Sequence, residues 1–160
     1  MEVPISSRGE REALTPFRRI LVSIDGSDAS IRAANTAIQM AAVHGLPVIA
    51  LYVVDDRAVE EVVTVSGEAP DTVRRQLESK GWRYLEHVAR LAKNYAVACE
   101  RLVRKGRPYS QIADLVRSRD VDLVVVGESR VQSARRALVG GLTDHVIEHT
   151  PCSVLVVKSD

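Results

Sequence analysis

The sequence has almost no surplus of charge: 22 Lys and Arg stand against 21 Asp and Glu, a formal net charge of +1. A nucleic-acid footprint or a basic membrane patch needs an excess of one sign on one surface. Here acids and bases alternate along most of the chain, as they do on solvated helix faces. No apolar run approaches the ~20 residues of a membrane span. The opening MEVPISSRGEREALTPFRR lacks the apolar centre of a secretory signal, so a cytoplasmic protein is expected. Cysteine is scarce: Cys99 and Cys152 are the two in the chain, and reduced thiols suit that compartment. No Walker A pattern and no GxGxxG follow an apolar run, and no serine–histidine or cysteine–histidine pairing has supporting context. A catalytic nucleophile is therefore not expected, nor is a metal required. Internal repeats and low-complexity segments are lacking as well.

What is present fits one domain, since 160 residues can bury one sizeable core. Residues 1–16 are polar, carry Pro4, Gly9 and Pro16 and show no sustained period; they read as a tail, with the folded domain at 17–160. From Arg18 the pattern is regular. RRILVSID reads as a strand and SDASIRAANTAIQMAAVHG as a helix, with Ser27 or Asp28 as N-cap and Gly45 as the stop. LPVIALYVVDD is a second strand, residues 56–70 read as a loop, and DTVRRQLESKGWRYLEHVARLAKN has the apolar spacing of a helix face, with Trp82 expected to cover core. AVACERLVRKG, PYSQIADLVRSRD, VDLVVVGE, GGLTDHVIEHTP and CSVLVVK continue as strand, helix, strand, helix and strand.

Strand and helix thus alternate about five times, which argues for a doubly wound α/β domain with a five-stranded parallel sheet. ILVSI and DLVVVG are nearly all apolar and suit the centre, whereas AVACERLVRK carries Glu100, Arg101 and Arg104 and suits an edge. That pattern fits the flavodoxin-like (Rossmann-like) order 3-2-1-4-5. Its switch point falls between the first and fourth strands, where open sheets bind ligands beyond the carboxyl ends. Cys99 and Cys152 then lie at opposite edges, out of disulfide reach.

Two motifs should meet in that crevice. Asp25-Gly26-Ser27 ends the first strand, and Asp25 could accept hydrogen bonds from a sugar hydroxyl or an adenine amine; the same three residues are also ordinary turn and N-cap chemistry. The second motif is Gly127-x-x-Arg130, nine residues, then Gly140-Gly141-Leu142-Thr143 at a helix start. Glycine permits close backbone approach, and a helix N-terminus attracts phosphate through its free N–H groups and its dipole. The glycines could equally shape a turn, and Arg130, Arg135 and Arg136 are either phosphate partners or solvated charges.

His145-Val-Ile-Glu148-His149 matches the H-x-x-E-H zinc-protease pattern letter for letter. A catalytic zinc wants a third protein ligand, and only eleven residues follow His149. The expectation is histidines near a helix C-terminus, favouring its dipole. His44 and His87 are lone helix residues with no ligand pattern. SVLVV at 153–157 is an apolar edge strand, and such an edge calls for cover by another chain.

The strand ending Ser-Ile-Asp25-Gly-Ser, Gly106-x-Pro108, the Val-Val-Gly127 strand and the closing His149-Thr-Pro151-Cys-Ser-Val-Leu-Val-Val together resemble the universal stress protein family over about residues 17–158. The resemblance implies a flavodoxin-like, usually dimeric, non-catalytic stress-response protein, of which a subset binds ATP or AMP. That subset carries Gly-x-x-Gly, nine residues, Gly, then Ser or Thr. Gly127, Gly140 and the hydroxyl of Thr143 match, while Arg130 replaces the second glycine and Gly141 the hydroxyl residue. The resemblance also places ribose and adenine against Asp25 and the backbone around Ser23 and Val53. The expected site is therefore Ser23, Asp25, Val53, Gly127, Arg130, Gly140, Gly141, Leu142 and Thr143, weakened at its phosphate half. The alternative is a member that binds no nucleotide and acts through homodimer and protein contacts.

Overall fold

The computed structural model describes residues 15–128 and 141–158. The chain runs β1 (Ile20–Ile24), α1 (Asp28–His44), β2 (Val48–Asp55), α2 (Asp56–Ser66), α3 (Pro70–Asn94), β3 (Cys99–Gly106), α4 (Pro108–Ser118), β4 (Leu123–Gly127), α5 (Leu142–His149) and β5 (Ser153–Val157). The five strands form one parallel sheet in the order β3-β2-β1-β4-β5, as the strand chemistry indicates. The 1–16 tail falls outside the described residues but for its last two.

Period-two alternation sorts the strand side chains into two layers. Ile20, Val22 and Ile24 of β1, with Val48, Ala50, Tyr52 and Val54 of β2, pack against α1, α2 and α3. Leu21, Ile49, Leu51, Val124 and Val126 face α4 and α5 through Ile112, Leu115, Val116 and Val146. β1 and β4 are buried along nearly their whole length, as strands covered on both faces must be.

Helix α1 starts where Ser27 Oγ accepts the Ser30 N–H at 3.2 Å, and stops at Gly45 in the left-handed conformation, φ 68°. Its buried stripe is mostly alanine: Ala33, Ala34, Ala37 and Ala41. Such small side chains let the helix lie close on the sheet. At the opposite end of the sheet Asp122 accepts the main-chain N–H groups of Arg18 and Arg19 at 2.9–3.0 Å, tying the entry of β1 to that of β4.

Two expectations are corrected. Residues 56–66 form a helix rather than a loop: Asp55 caps it through the Arg57 N–H at 3.0 Å, Gly67 ends it at φ 71°, and Val59 anchors it in the core. Trp82 does not cover core; it is 43% exposed on the outer side of α3. The apolar face of that helix is carried instead by Val73, Leu85, Val88 and Ala92.

Candidate functional site

The carboxyl ends of β1 and β4 lie side by side, with Ile20, Leu21 and Val22 paired to Leu123, Val124 and Val125. This register brings the turn after Ile24 and the end of β4 at Gly127 to the same rim. Asp25 is exposed there. Its Oδ1 accepts the Ser27 N–H at 2.8 Å, and its own N–H donates to Ser30 Oγ at 3.3 Å. That is the turn chemistry of an Asx motif, and it orients the carboxylate while leaving Oδ2 without a protein donor among the described residues.

Ser23 is buried in β1 opposite Leu51, and Val53 lies half-buried two residues further along β2. By alternation both stand on the α4/α5 side of the sheet, the side on which Val53 and Leu142 pack. Strand β1, strand β2 and the start of α5 thus bring Ser23, Val53 and Leu142 to one layer. Thr143, half-buried, follows in the first turn of α5. Arg130 and Gly140, with Arg135 and Arg136, lie outside the described residues.

Gly127 has a packing reason of its own. A β-carbon there would stand 2.3 Å from the carbonyl oxygen of Ala29 and 2.9 Å from the nitrogen of Ser30, so the residue lets the first turn of α1 rest on β4. Glu128 continues from it, donating its N–H to Val157 O at 2.9 Å and pairing with Lys158 at 2.9 Å. The rim of the crevice is thereby fixed to the end of β5.

Gly141 is the N-cap of α5, extended at φ −83° and ψ 176°, with nothing within 4 Å of where a side chain would start. Its N–H donates to Asp144 Oδ2 at 3.2 Å. A carboxylate therefore already occupies one of the free amides at this helix start, and its charge opposes an anion there. Sequence reasoning missed this feature, although an acid three residues past a helix start is the signal for it.

Also missed was the aromatic wall beside Asp25. Gly26, at φ 85°, sits so close under Tyr84 that an added β-carbon would be 2.3 Å from the ring. Tyr84 in turn lies 6.2 Å from Tyr52, and Lys80 Nζ is 5.9 Å from the Tyr84 ring centre. Burial, then the neighbouring Tyr84 and Asp25, push the Tyr52 phenol above its usual range, so Tyr52 stays neutral at physiological pH. Gly81 makes room for that ring, since a β-carbon there would meet Tyr52 Cδ1 at 2.2 Å.

On α5 the structure gathers His145, Glu148 and His149, one ligand atom of each lying within 4.8 Å of the others. The Tyr109 ring of α4 packs on both imidazoles, with centroids 5.0 and 5.6 Å away. Cys99 and Cys152 are both free. Burial raises the pKa of each thiol.

The doubly wound sheet with a rim at its β1/β4 switch point defines a flavodoxin-like α/β protein. Within that class the sequence profile of the universal stress protein family matches residues 16–158, and the chain belongs to that family. Universal stress protein MJ0531 of Methanocaldococcus jannaschii is 31% identical over 143 residues, covering 89% of this chain and 82% of the relative. YxiE of Bacillus subtilis is 26% identical over 89% of this chain and 99% of its own. Among solved structures, a universal stress protein in complex with cAMP superposes with a TM-score of 0.70 at 22% identity, over 91% of this chain and 100% of its own. An Arabidopsis thaliana family protein with AMP bound gives 0.65 at 18%, over 89% and 92%. Among the described residues, no helix is long and apolar enough to cross a membrane.

Proposed function

We propose that this universal stress protein is a non-catalytic, cytoplasmic stress-response protein that binds an adenine nucleotide, ATP or AMP, at the rim between β1 and β4. The observation that carries this reading is the β1/β4 register, which brings the Asp25 turn and the end of β4 at Gly127 to one rim, with Leu142 at the start of α5 packed in the same layer as Val53. The adenine ligands of the two structural neighbours support it. In this reading Ser23, Asp25 and Val53 hold adenosine, and Gly127, Arg130, Gly140, Gly141, Leu142 and Thr143 meet the phosphates. Asp25 Oδ2 accepts a ribose hydroxyl or the adenine amine, since its partner oxygen is held by the turn.

The phosphate half is the weaker one. Gly141 supplies an amide but no hydroxyl, and Asp144 competes for that amide. Arg130 offers a guanidinium in return, able to make charge-assisted bonds to phosphate oxygens. Mass spectrometry of the supernatant from heat-denatured, freshly purified protein tests the reading. ATP or AMP in that supernatant is expected. Protein that emerges free of nucleotide, and that gives no calorimetric signal with either, leaves the alternative of a member acting through protein contacts alone.

A further inference from the structure

The last turn of α5 is not used by the proposed nucleotide site. His145 and His149 are one helical turn apart on the same face and Glu148 lies between them. Ring nitrogens and carboxylate oxygen come within 4.8 Å of one another. Three neighbouring features organise them. His149 Nδ1 lies 2.9 Å from the carbonyl oxygen of His145; a carbonyl only accepts, so Nδ1 carries the proton and Nε2 is left with the lone pair. This is the arrangement that metal-binding histidines adopt, one ring nitrogen on a backbone carbonyl and the other free for the ion. Tyr109 stacks on the His145 ring and packs tilted against that of His149, which limits their rotamers from the α4 side. The sites of both imidazoles are open enough for an ion to enter, His145 being half-buried and His149 exposed.

We propose that His145, Glu148 and His149 form a surface site for one divalent transition-metal ion of the zinc type, non-catalytic and completed by water. Two imidazoles and one carboxylate suit zinc, nickel or copper rather than calcium or magnesium, which want oxygen ligands. A tetrahedral ion with bonds of about 2.0–2.2 Å holds its ligand atoms roughly 3.4 Å apart; one ring nitrogen of each histidine and a carboxylate oxygen already lie within 4.8 Å of one another, and the Glu148 carboxylate, now 4.0 Å from His149 Nδ1, has to turn toward Nε2 as the ion binds. Glu148 acts here as a ligand, not as a base. This differs from the protease reading of the same five letters, which needs a substrate cleft and a third ligand from elsewhere; among the described residues no further His, Cys, Asp or Glu joins the cluster. A bound ion would pin the last turn of α5 and hold its histidines against Tyr109.

The test is calorimetric titration of metal-free, reduced full-length protein with zinc chloride, read beside its thermal unfolding midpoint. One zinc per chain with micromolar affinity and a raised midpoint is expected. His149→Gln and Glu148→Gln should each weaken binding by at least about ten-fold, and His145→Ala should do the same. Should any variant fold poorly by circular dichroism, Glu148→Gln, at an exposed position, carries the comparison. The paired variant His44→Ala/His87→Ala, at exposed helix positions away from the cluster, should bind as the parent does. The proposal is overturned by an absence of saturable binding below millimolar zinc, by binding that survives all three cluster variants, or by binding that is lost in the His44/His87 variant.

Discussion

A glycine can be required by a ligand or by a neighbour, and the two leave different signatures. At Gly127 the neighbour is backbone: the Ala29 carbonyl carbon lies 2.4 Å from the place of a β-carbon. Backbone cannot swing aside as a side chain can, so Gly127→Ala should cost about 1–3 kcal/mol through displacement of the first turn of α1. Urea unfolding without nucleotide measures it; a midpoint equal to that of the parent would mean the glycine serves a ligand instead. Gly141 is the contrasting case, with open space around it and an ordinary φ of −83°. Gly141→Ser should therefore be neutral or slightly stabilising as an N-cap. It should also tighten nucleotide, since a hydroxyl on a charged phosphate is worth ~1.5–3 kcal/mol, or roughly ten- to a hundred-fold. Arg130 sets the other departure from the family motif. Arg130→Ala should weaken ATP more than AMP, because the cation gains most from the larger phosphate charge. Calorimetry on the parent, Gly141→Ser and Arg130→Ala decides this: an Arg130→Ala variant that binds ATP as well as the parent removes Arg130 from the phosphate site, and one that binds it more tightly shows Arg130 to be an obstruction.

At the scale of elements, the order β3-β2-β1-β4-β5 was legible because burial on both faces selects uninterrupted apolar runs, and ILVSI and LVVVG are such runs. Helix α2 was not legible as a loop-or-helix choice from its composition: Val59 alone is fully buried, and Val62 and Val65 face solvent, which blurs the apolar stripe. Its ends carried the information, with Asp55 as cap and Gly67 as left-handed stop. Trp82 misled for a related reason, since a large apolar residue is read as core although the helix phase set by Val73, Leu85 and Val88 turns it outward. Of the candidate site, the sequence showed which strand ends share the rim between β1 and β4, but Tyr84 over Gly26 and Asp144 on the Gly141 amide depend on packing and a side-chain torsion. That second contact gives α5 its own prediction. Asp144→Asn removes a favourable charge from the first turn, costing ~0.3–1 kcal/mol of stability, while freeing the amide end for anions. Phosphate-bearing ligands should bind more tightly to Asp144→Asn, and adenosine unchanged. Equal effects on adenosine and ATP by calorimetry would place Asp144 outside the phosphate region.

At the scale of the whole molecule, the sheet of the described residues has two edges, and they are guarded unequally. At β3 the side chains of Glu100, Arg101 and Lys105 are tied into ion pairs with Arg119, Glu86 and Glu78, and charged residues on an edge discourage pairing with another sheet. At β5 the sequence is Ser-Val-Leu-Val-Val, without charge, and its four apolar residues remain only half-buried although they pack on both layers. Isolated, such an edge offers unpaired N–H and C=O groups beside apolar side chains, the combination that drives strand-to-strand association. Self-pairing about a two-fold axis satisfies both at once and closes the assembly at two copies, where a head-to-tail contact would continue into a filament. We infer a homodimer through Ser153, Val154, Leu155, Val156 and Val157. Sedimentation equilibrium at micromolar concentration should return twice the 17.6 kDa chain mass. Val154→Lys should return the single-chain mass, because a lysine stem can lie along the apolar surface while its charge opposes the facing strand. A parent protein that sediments as one chain ends the proposal, and a Val154→Lys dimer that is folded and undiminished moves the interface away from β5.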